Sequence, residues 1–413
     1  MNPLYEQMPV SVFERMSLAA AKHGAVNLGQ GFPDFGWPEP LLDAATLALV
    51  EGSNQYAPSR GLPALRQAVA DHYNRHQGLA LTPDHILVTS GATEAIAATI
   101  LAVLQPGDEA IIMTPAYDAY APLIRRAGGV VREVALRPPE WRIDEQALRA
   151  AVTERTRLLI LNNPHNPTGR LFSAAELEAV AAVARDHDLL VLSDEVWEHV
   201  LLSSSPLGEQ SPEATWGHDP SGASRHLPQG GGAAFVPLAG LRGMGERTLK
   251  CGSAGKIFSL TGWKIGWLVA PPELASIVAR AHQFLTFATA TALQAAVAFG
   301  MAEGDSWLAP MRAAFTRSRD RLTSGLQSAG YHVLPSASTY FLCVDLTASG
   351  IALDDEAFAR LAVEEAGVAV IPLSPFAEQD PPRTMIRLCF AKQDATIDAG
   401  VAAMARAIEL ARR

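Results

Sequence analysis

An α/β fold, with a mainly parallel sheet covered by helices and a smaller α+β domain after it, is what this 413-residue sequence predicts. Three observations carry the prediction. Short β-branched runs alternate with helical patterns from about residue 60 to about residue 290, and such alternation implies crossover units. The runs are almost continuously apolar, as strands are when a sheet is covered on both faces. After about residue 290 the alternation gives way to long helical stretches.

In chain order, His85–Thr89, Glu109–Met113, Val130–Val134, Arg157–Leu161, Leu189–Ser193 and Thr248–Cys251 read as buried strands. Ala92–Leu104, Tyr117–Ala127 and Ser173–His187 have helical spacing between them. Further on come helical residues 291–329, strands at Tyr331–Leu334 and Tyr340–Asp345, a helix near 354–366 and a last helix from Asp394. This pattern divides into a large domain over 45–290 and a small domain of 291–413 joined by the N-terminal arm 1–44. Ser203–Ala234 holds 6 Gly, 4 Pro and 6 Ser in 32 residues. Loops of that length inside a compact domain are functional or mobile, and a poorly ordered surface insertion is expected here.

The chain is 48% apolar and 18% charged, an ordinary globular balance with enough material for a large core. It has 33 basic and 43 acidic residues, a net charge of −10 with no block of either sign. That disfavours nucleic acid as a partner. Cys251, Cys343 and Cys389 are far apart and form no CxxC pair, so neither a disulfide framework nor a zinc site is expected, and a reducing compartment is implied. There is no basic segment followed by an apolar run at the N-terminus. Nor does any stretch approach the roughly 18 consecutive apolar residues of a membrane span. A cytoplasmic protein without a membrane partner is expected.

Cys251-Gly-Ser-Ala-Gly-Lys256 invites several readings. A phosphate-binding P-loop needs Gly six positions before its Lys and Ser or Thr after it, but Lys250 and Ile257 stand there. A GxSxG nucleophile elbow fails because position 251 is Cys. Ser253-x-x-Lys256 matches the SxxK of serine acyl-enzymes, yet no KTG follows. The remaining reading is a lysine that forms a Schiff base, with Lys264 nearby as a charge partner for a phosphorylated carbonyl cofactor. Other strand ends agree. Asn162 to Gly169 follows a strand, where open α/β sheets place ligands. Ser193-Asp194-Glu195 puts a carboxylate at the same edge. Ser90-Gly91-Ala92-Thr93 opens a helix, where free N–H groups favour a phosphate.

Asn27-Leu-Gly-Gln-Gly-Phe-Pro-Asp34, Asn162-Asn-Pro-His-Asn-Pro-Thr-Gly169, Ser193-Asp-Glu-Val196, Gly252-Ser-Ala-Gly-Lys256 through Lys264, and Ile386-Arg387-Leu-Cys-Phe390 together resemble the class I/II aminotransferases. The resemblance is narrower to the kynurenine/glutamine/methionine aminotransferase branch, which includes N-succinyldiaminopimelate aminotransferase-like bacterial proteins. It covers nearly the whole chain except 203–234. It implies the fold-type I architecture of pyridoxal 5'-phosphate (PLP) enzymes and a ping-pong transfer between an amino acid and a 2-oxo acid. By the same resemblance Lys256 holds PLP and moves the Cα proton, and Asp194 faces the pyridine nitrogen. Asn166, with Asn162 nearby, supports the ring oxygen. Gly91, Ala92, Thr93, Ser253 and Lys264 hold the phosphate, and Tyr117 stacks on the ring. Arg387 and the Gly31 backbone bind the substrate carboxylate. Tyr56 resembles the tyrosine that crosses from a second subunit, which implies a homodimer with shared active sites.

Two departures from the family pattern bear on chemistry and specificity. Trp197 stands where the family usually has a tyrosine supporting the ring oxygen, and an indole N–H can donate but neither accept nor ionise. Phe13 replaces a tryptophan of several relatives, and Phe287-Ala288 lacks a histidine of some kynurenine-processing ones. An apolar pocket lined by Phe13, Phe287 and Tyr340 is therefore expected, suited to methionine, phenylalanine, leucine, glutamine or kynurenine. Nothing in the sequence marks a second arginine for a dicarboxylate, with Arg60 and Arg383 left open, and N-succinyl-LL-diaminopimelate transamination is an alternative that needs an extra cationic contact for the distal groups. Carbon–sulfur β-elimination from cysteine conjugates is another. A non-catalytic regulator is disfavoured, because such proteins append a DNA-binding domain and no spare segment of about 60 residues is present.

Overall fold

The structure is a computed structural model, and it describes residues 1–6, 8–202 and 235–413. The Ser203–Ala234 insertion lies outside the described residues.

The core of the fold is a seven-stranded sheet. Its strands are β1 (Ile86–Thr89), β2 (Glu109–Thr114), β3 (Val130–Ala135), β4 (Thr156–Asn162), β5 (Leu190–Asp194), β6 (Thr248–Ser253) and β7 (Gly266–Val269). They lie in the order β1-β7-β6-β5-β4-β2-β3. Only β7 is antiparallel, to both β1 and β6; the other neighbours are parallel. Side chains alternate across a sheet, so Ile111, Leu159, Leu161 and Val191 enter one core while Ala110, Ile112, Leu158, Ile160 and Leu192 enter another. Both faces are covered, and this is why the strands read as unbroken apolar runs.

Register gathers the chemistry on one edge. Asn162 lies opposite Asp194, Asp194 opposite Cys251, Ser253 opposite Gly266, and Gly266 opposite Thr89. The ends of β1, β4, β5 and β6 and the start of β7 therefore meet, at the place where α/β sheets leave a crevice. A Cβ on Gly266 would stand 2.6 Å from the Ala92 nitrogen. We expect Gly266→Ala to cost about 1–3 kcal/mol through this backbone clash, read as a lowered Tm in thermal denaturation.

Two helices differ from expectation for the same reason. Proline lacks an N–H and is tolerated in a first turn. Pro122 thus sits in the first turn of the Tyr120–Arg126 helix, which leaves Tyr117 outside it. Pro310 occupies the first turn of Leu308–Ser328, and Gly304 has a φ of +91°, so the 291–329 stretch breaks into Thr291–Ala302 and Leu308–Ser328. The first of these packs on Glu39–Glu51 and Pro63–Gln77, and the second on Asp394–Ala411.

The C-terminal part carries a four-stranded sheet in the order Ile371–Pro372, Met385–Cys389, Phe341–Asp345, His332–Val333, antiparallel throughout. The Tyr331–Leu334 strand is thus shorter than expected, and Tyr340 precedes its strand. Val26–Asn27 pairs in parallel with Val368–Ala369, so the N-terminal segment is tied to this part of the chain. Among the described residues no helix is long and apolar enough to cross a membrane.

Candidate active site

A cavity of about 290 Å³ opens at the gathered strand ends. Fourteen positions proposed from sequence line it: Phe13, Gly31, Gly91, Ala92, Thr93, Tyr117 and Asn162, then Asn166, Asp194, Trp197, Ser253, Lys256, Lys264 and Arg387.

At one end the Ala92–Val103 helix begins. Its N-cap is Gly91, at a φ of +74° and with no side-chain cap, so first-turn N–H groups are left for a ligand. Lys264 approaches the same point; its Nζ lies 3.1 Å from where a Cβ on Gly91 would stand. The Ser253 hydroxyl, at the end of β6, belongs to the same lining. A cation, a hydroxyl and a bare helix N-terminus together suit a phosphate.

In the middle, Asp194 closes β5. Burial pushes its carboxyl up to about 6, against the opposing pull of the Tyr120 hydroxyl, which donates to Oδ2 at 2.6 Å. Asn162 donates to the Asp194 main-chain oxygen at 2.9 Å, and its own Oδ1 accepts the Asn166 N–H at 2.8 Å. One strand end therefore orders the Asn-Pro-Thr-Gly turn beside it. Lys256, in the first turn after β6, has its amine pushed down to about 8, mainly by burial. Its Nζ donates to Tyr340 Oη at 3.0 Å, and Tyr340 donates to the Gly31 oxygen at 2.7 Å.

At the other end Arg387 is fully enclosed. Nη1 donates to Asn166 Oδ1 at 2.9 Å and Nη2 to the Gly29 oxygen at 3.0 Å. Nε is buried without a partner among the described residues. The guanidinium lies 3.9 Å from the Phe341 ring centroid and 5.0 Å from that of Phe13, contacts that favour the cation. Burial nevertheless lowers it to about 10, which still leaves it charged at neutral pH.

Three predicted positions fall elsewhere. Tyr340 does not line the cavity, because its ring is buried among Trp197, Phe315 and Phe341 and only its hydroxyl reaches Lys256. Tyr56 is 87% exposed and stacks edge-on against the half-exposed Phe287 at 5.6 Å. Neither of that pair faces the cavity, so the expected Phe13–Phe287–Tyr340 lining is replaced by Phe13, Phe32, Val196 and Phe341. Arg60 and Arg383 do not line it either. Trp197 makes contacts on both sides: its ring packs at 4.3 Å from Tyr340, and Lys256 Nζ sits 4.5 Å from its centroid. Sequence reasoning missed Tyr120, although its place three residues after Tyr117 near a helix start was a usable sign.

The sequence model of the family "Aminotransferase class I and II" matches residues 23–404. This chain belongs to that family. The aminotransferase is similar to the probable N-succinyldiaminopimelate aminotransferase DapC of Mycobacterium tuberculosis, with 41% identity over 95% of this chain and 94% of that one. The solved structure of N-succinyldiaminopimelate aminotransferase from that organism has a TM-score of 0.88 and covers 98% of this chain and 100% of its own. The methionine aminotransferase of Escherichia coli is 39% identical over 96% of this chain and 97% of that one. Kynurenine–oxoglutarate transaminase of Dictyostelium discoideum is 33% identical over 94% and 92%. The fold is accordingly that of the fold-type I enzymes, and the chemistry is PLP-dependent transamination. Among the described residues no hydrogen bond joins Ser253 to Lys256, whose amine is bound to Tyr340 instead. The cavity's donors (an uncapped helix N-terminus, a buried carboxylate and an amine lowered by burial) fit PLP.

Proposed function

We propose that this aminotransferase binds PLP in the cavity and moves the amino group of an apolar or neutral L-amino acid, such as methionine, phenylalanine, glutamine or kynurenine, to a 2-oxo acid. When bound, PLP supplies the electron sink for the Cα carbanion. Lys256, with its lowered amine, takes the Cα proton and returns it. Asp194, held by Tyr120, keeps a proton on the pyridine nitrogen, because a nearby carboxylate favours the charged form. The Ala92 and Thr93 amides, Ser253 and Lys264 take the phosphate, and Tyr117 covers the ring. Arg387 grips the substrate carboxylate in a bidentate manner, which fixes Cα–H toward Lys256.

One observation carries the substrate reading. Lys256, Lys264 and Arg387 are the cations lining the cavity among the described residues, and each already has a role. None is left for a distal carboxylate, while Phe13, Phe32, Val196 and Phe341 offer apolar surface. This also weighs against N-succinyl-LL-diaminopimelate as the donor. Titrating the PLP-loaded protein with single amino acids, read by its visible absorption, tests the reading. Methionine, phenylalanine and glutamine should change the band and a 2-oxo acid should restore it. A preference for aspartate would overturn it. Release of pyruvate and ammonia from a cysteine conjugate would instead mark β-elimination.

The exposed Tyr56–Phe287 pair supports a homodimer in which Tyr56 reaches the partner's phosphate site, checked by sedimentation and by weaker PLP retention in Tyr56→Phe. All three cysteines are buried and free, in keeping with a cytoplasmic location. We place the domain boundary after Thr291–Ala302, since that helix shares its core with Leu41, Leu65 and Val69. Trp197 cannot ionise, so Trp197→Tyr should lower the pH midpoint of the visible band; an unchanged midpoint would show that position 197 does not touch the ring oxygen.

A further inference from the structure

Two residues past Trp197, the chain carries His199 into a cluster that transamination does not use. His72 and His76 are one helical turn apart on Pro63–Gln77 and so share a face. The three imidazoles crowd together: ring centroids are 4.3 Å apart for His72 and His76, 4.8 Å for His72 and His199, and 5.5 Å for His76 and His199. His72 Nε2 is 2.8 Å from His199 Nε2, and His76 Nε2 is 2.9 Å from Asp305 Oδ1. One ligand atom each of His72, His76 and Asp305 falls within 4.8 Å of the others.

We propose that His72, His76, His199 and Asp305 form a binding site for a divalent transition metal of the zinc type. Three imidazoles and one carboxylate are a zinc-like donor set, and they are poor ligands for hard cations such as magnesium and calcium. Two ring nitrogens at 2.8 Å need a proton or a cation between them. Tetrahedral zinc with bonds near 2.1 Å spaces its donors by roughly 3.4 Å. The ligand atoms of His72, His76 and Asp305 lie within 4.8 Å of one another and would draw together on the ion, and His199, paired with His72 at 2.8 Å, would turn to join them as the fourth. His72 and His199 are buried while His76 and Asp305 are partly open, which leaves an entry path from the Asp305 side.

The surrounding charges permit it. Lys250, the buried cation nearby, is bonded to both Glu195 and Glu198. Arg75 reaches only to 4.0 Å of Asp305. Arg312 donates to the His199 main-chain oxygen at 2.8 Å, steadying that residue without using its ring. A bound ion would join Pro63–Gln77, the segment after β5 and the loop at 303–307, and thereby hold the stretch that carries Trp197.

The test uses PLP-loaded protein, dialysed against a chelator and titrated with Co²⁺. One saturable equivalent per chain should appear, with the visible ligand-field band of a four-coordinate ion; Zn²⁺ should displace it and raise the Tm. His76→Ala and Asp305→Asn, both at the open side, should each weaken Co²⁺ binding at least about 10–100-fold while keeping the PLP absorption. Absence of saturable binding overturns the proposal. So does a band that persists in both variants, since that would place the metal on the cofactor or elsewhere.

Discussion

Replacing Lys256 with alanine should remove transamination almost entirely. The side chain has two tasks in the proposed reaction, attachment of the cofactor and transfer of the Cα proton, and proton transfer by a positioned side chain alone contributes about 10²–10⁴-fold. We expect a fall in kcat/KM of about 10⁴ or more, with no PLP attached to the variant after borohydride reduction, as read by mass spectrometry. The environment of the amine gives the pH dependence. Burial lowers it from 10.5 to about 8, and only the unprotonated amine is nucleophilic. Below about pH 8 it is mostly protonated. Incorporation of PLP into the apoprotein should therefore accelerate as pH rises and level off above about 8. A midpoint near the ordinary lysine value would show that the amine is solvated in the apoprotein.

Arg387→Lys should be the next most damaging change. The guanidinium spans Asn166 Oδ1 and the Gly29 oxygen while sandwiched near Phe341 and Phe13. A lysine is a point charge on a flexible stem and cannot reproduce a planar fork. Breaking a buried hydrogen-bonded charge contact costs about 2–5 kcal/mol, hence at least about 30-fold in kcat/KM at 1.4 kcal/mol per tenfold. Because the substrate carboxylate is held before and during proton transfer, KM should rise more than kcat falls. Stopped-flow titration with methionine separates the two. An unchanged KM would mean that the carboxylate binds elsewhere, with Arg387 serving only to fix Asn166.

Much of the site was legible because its signals are local. A strand end followed by Asn-Asn-Pro, a strand end closing on Ser-Asp-Glu, and Gly91 before a helical run each announce a position through a few neighbouring residues. Parallel topology then brings strand ends together without further information. Helix limits were less legible, since Pro122 and Pro310 set them by where a missing N–H is tolerated.

The linear order of residues determined the α/β architecture, the strand ends that carry Asn162 and Asp194 and the turn after a strand that carries Lys256, and the aminotransferase family. Only the tertiary structure decided that Tyr120 serves Asp194, that Tyr340 holds Lys256 instead of lining the pocket, and that Phe341 and Phe32 take the place given to Phe287. It also decided that Trp197 lies against both Tyr340 and Lys256, and that His72, His76, His199 and Asp305 converge. Each is a contact between segments far apart in the chain. Such contacts leave no mark on local periodicity or turn chemistry, because they are set by which faces pack together once the sheet has formed.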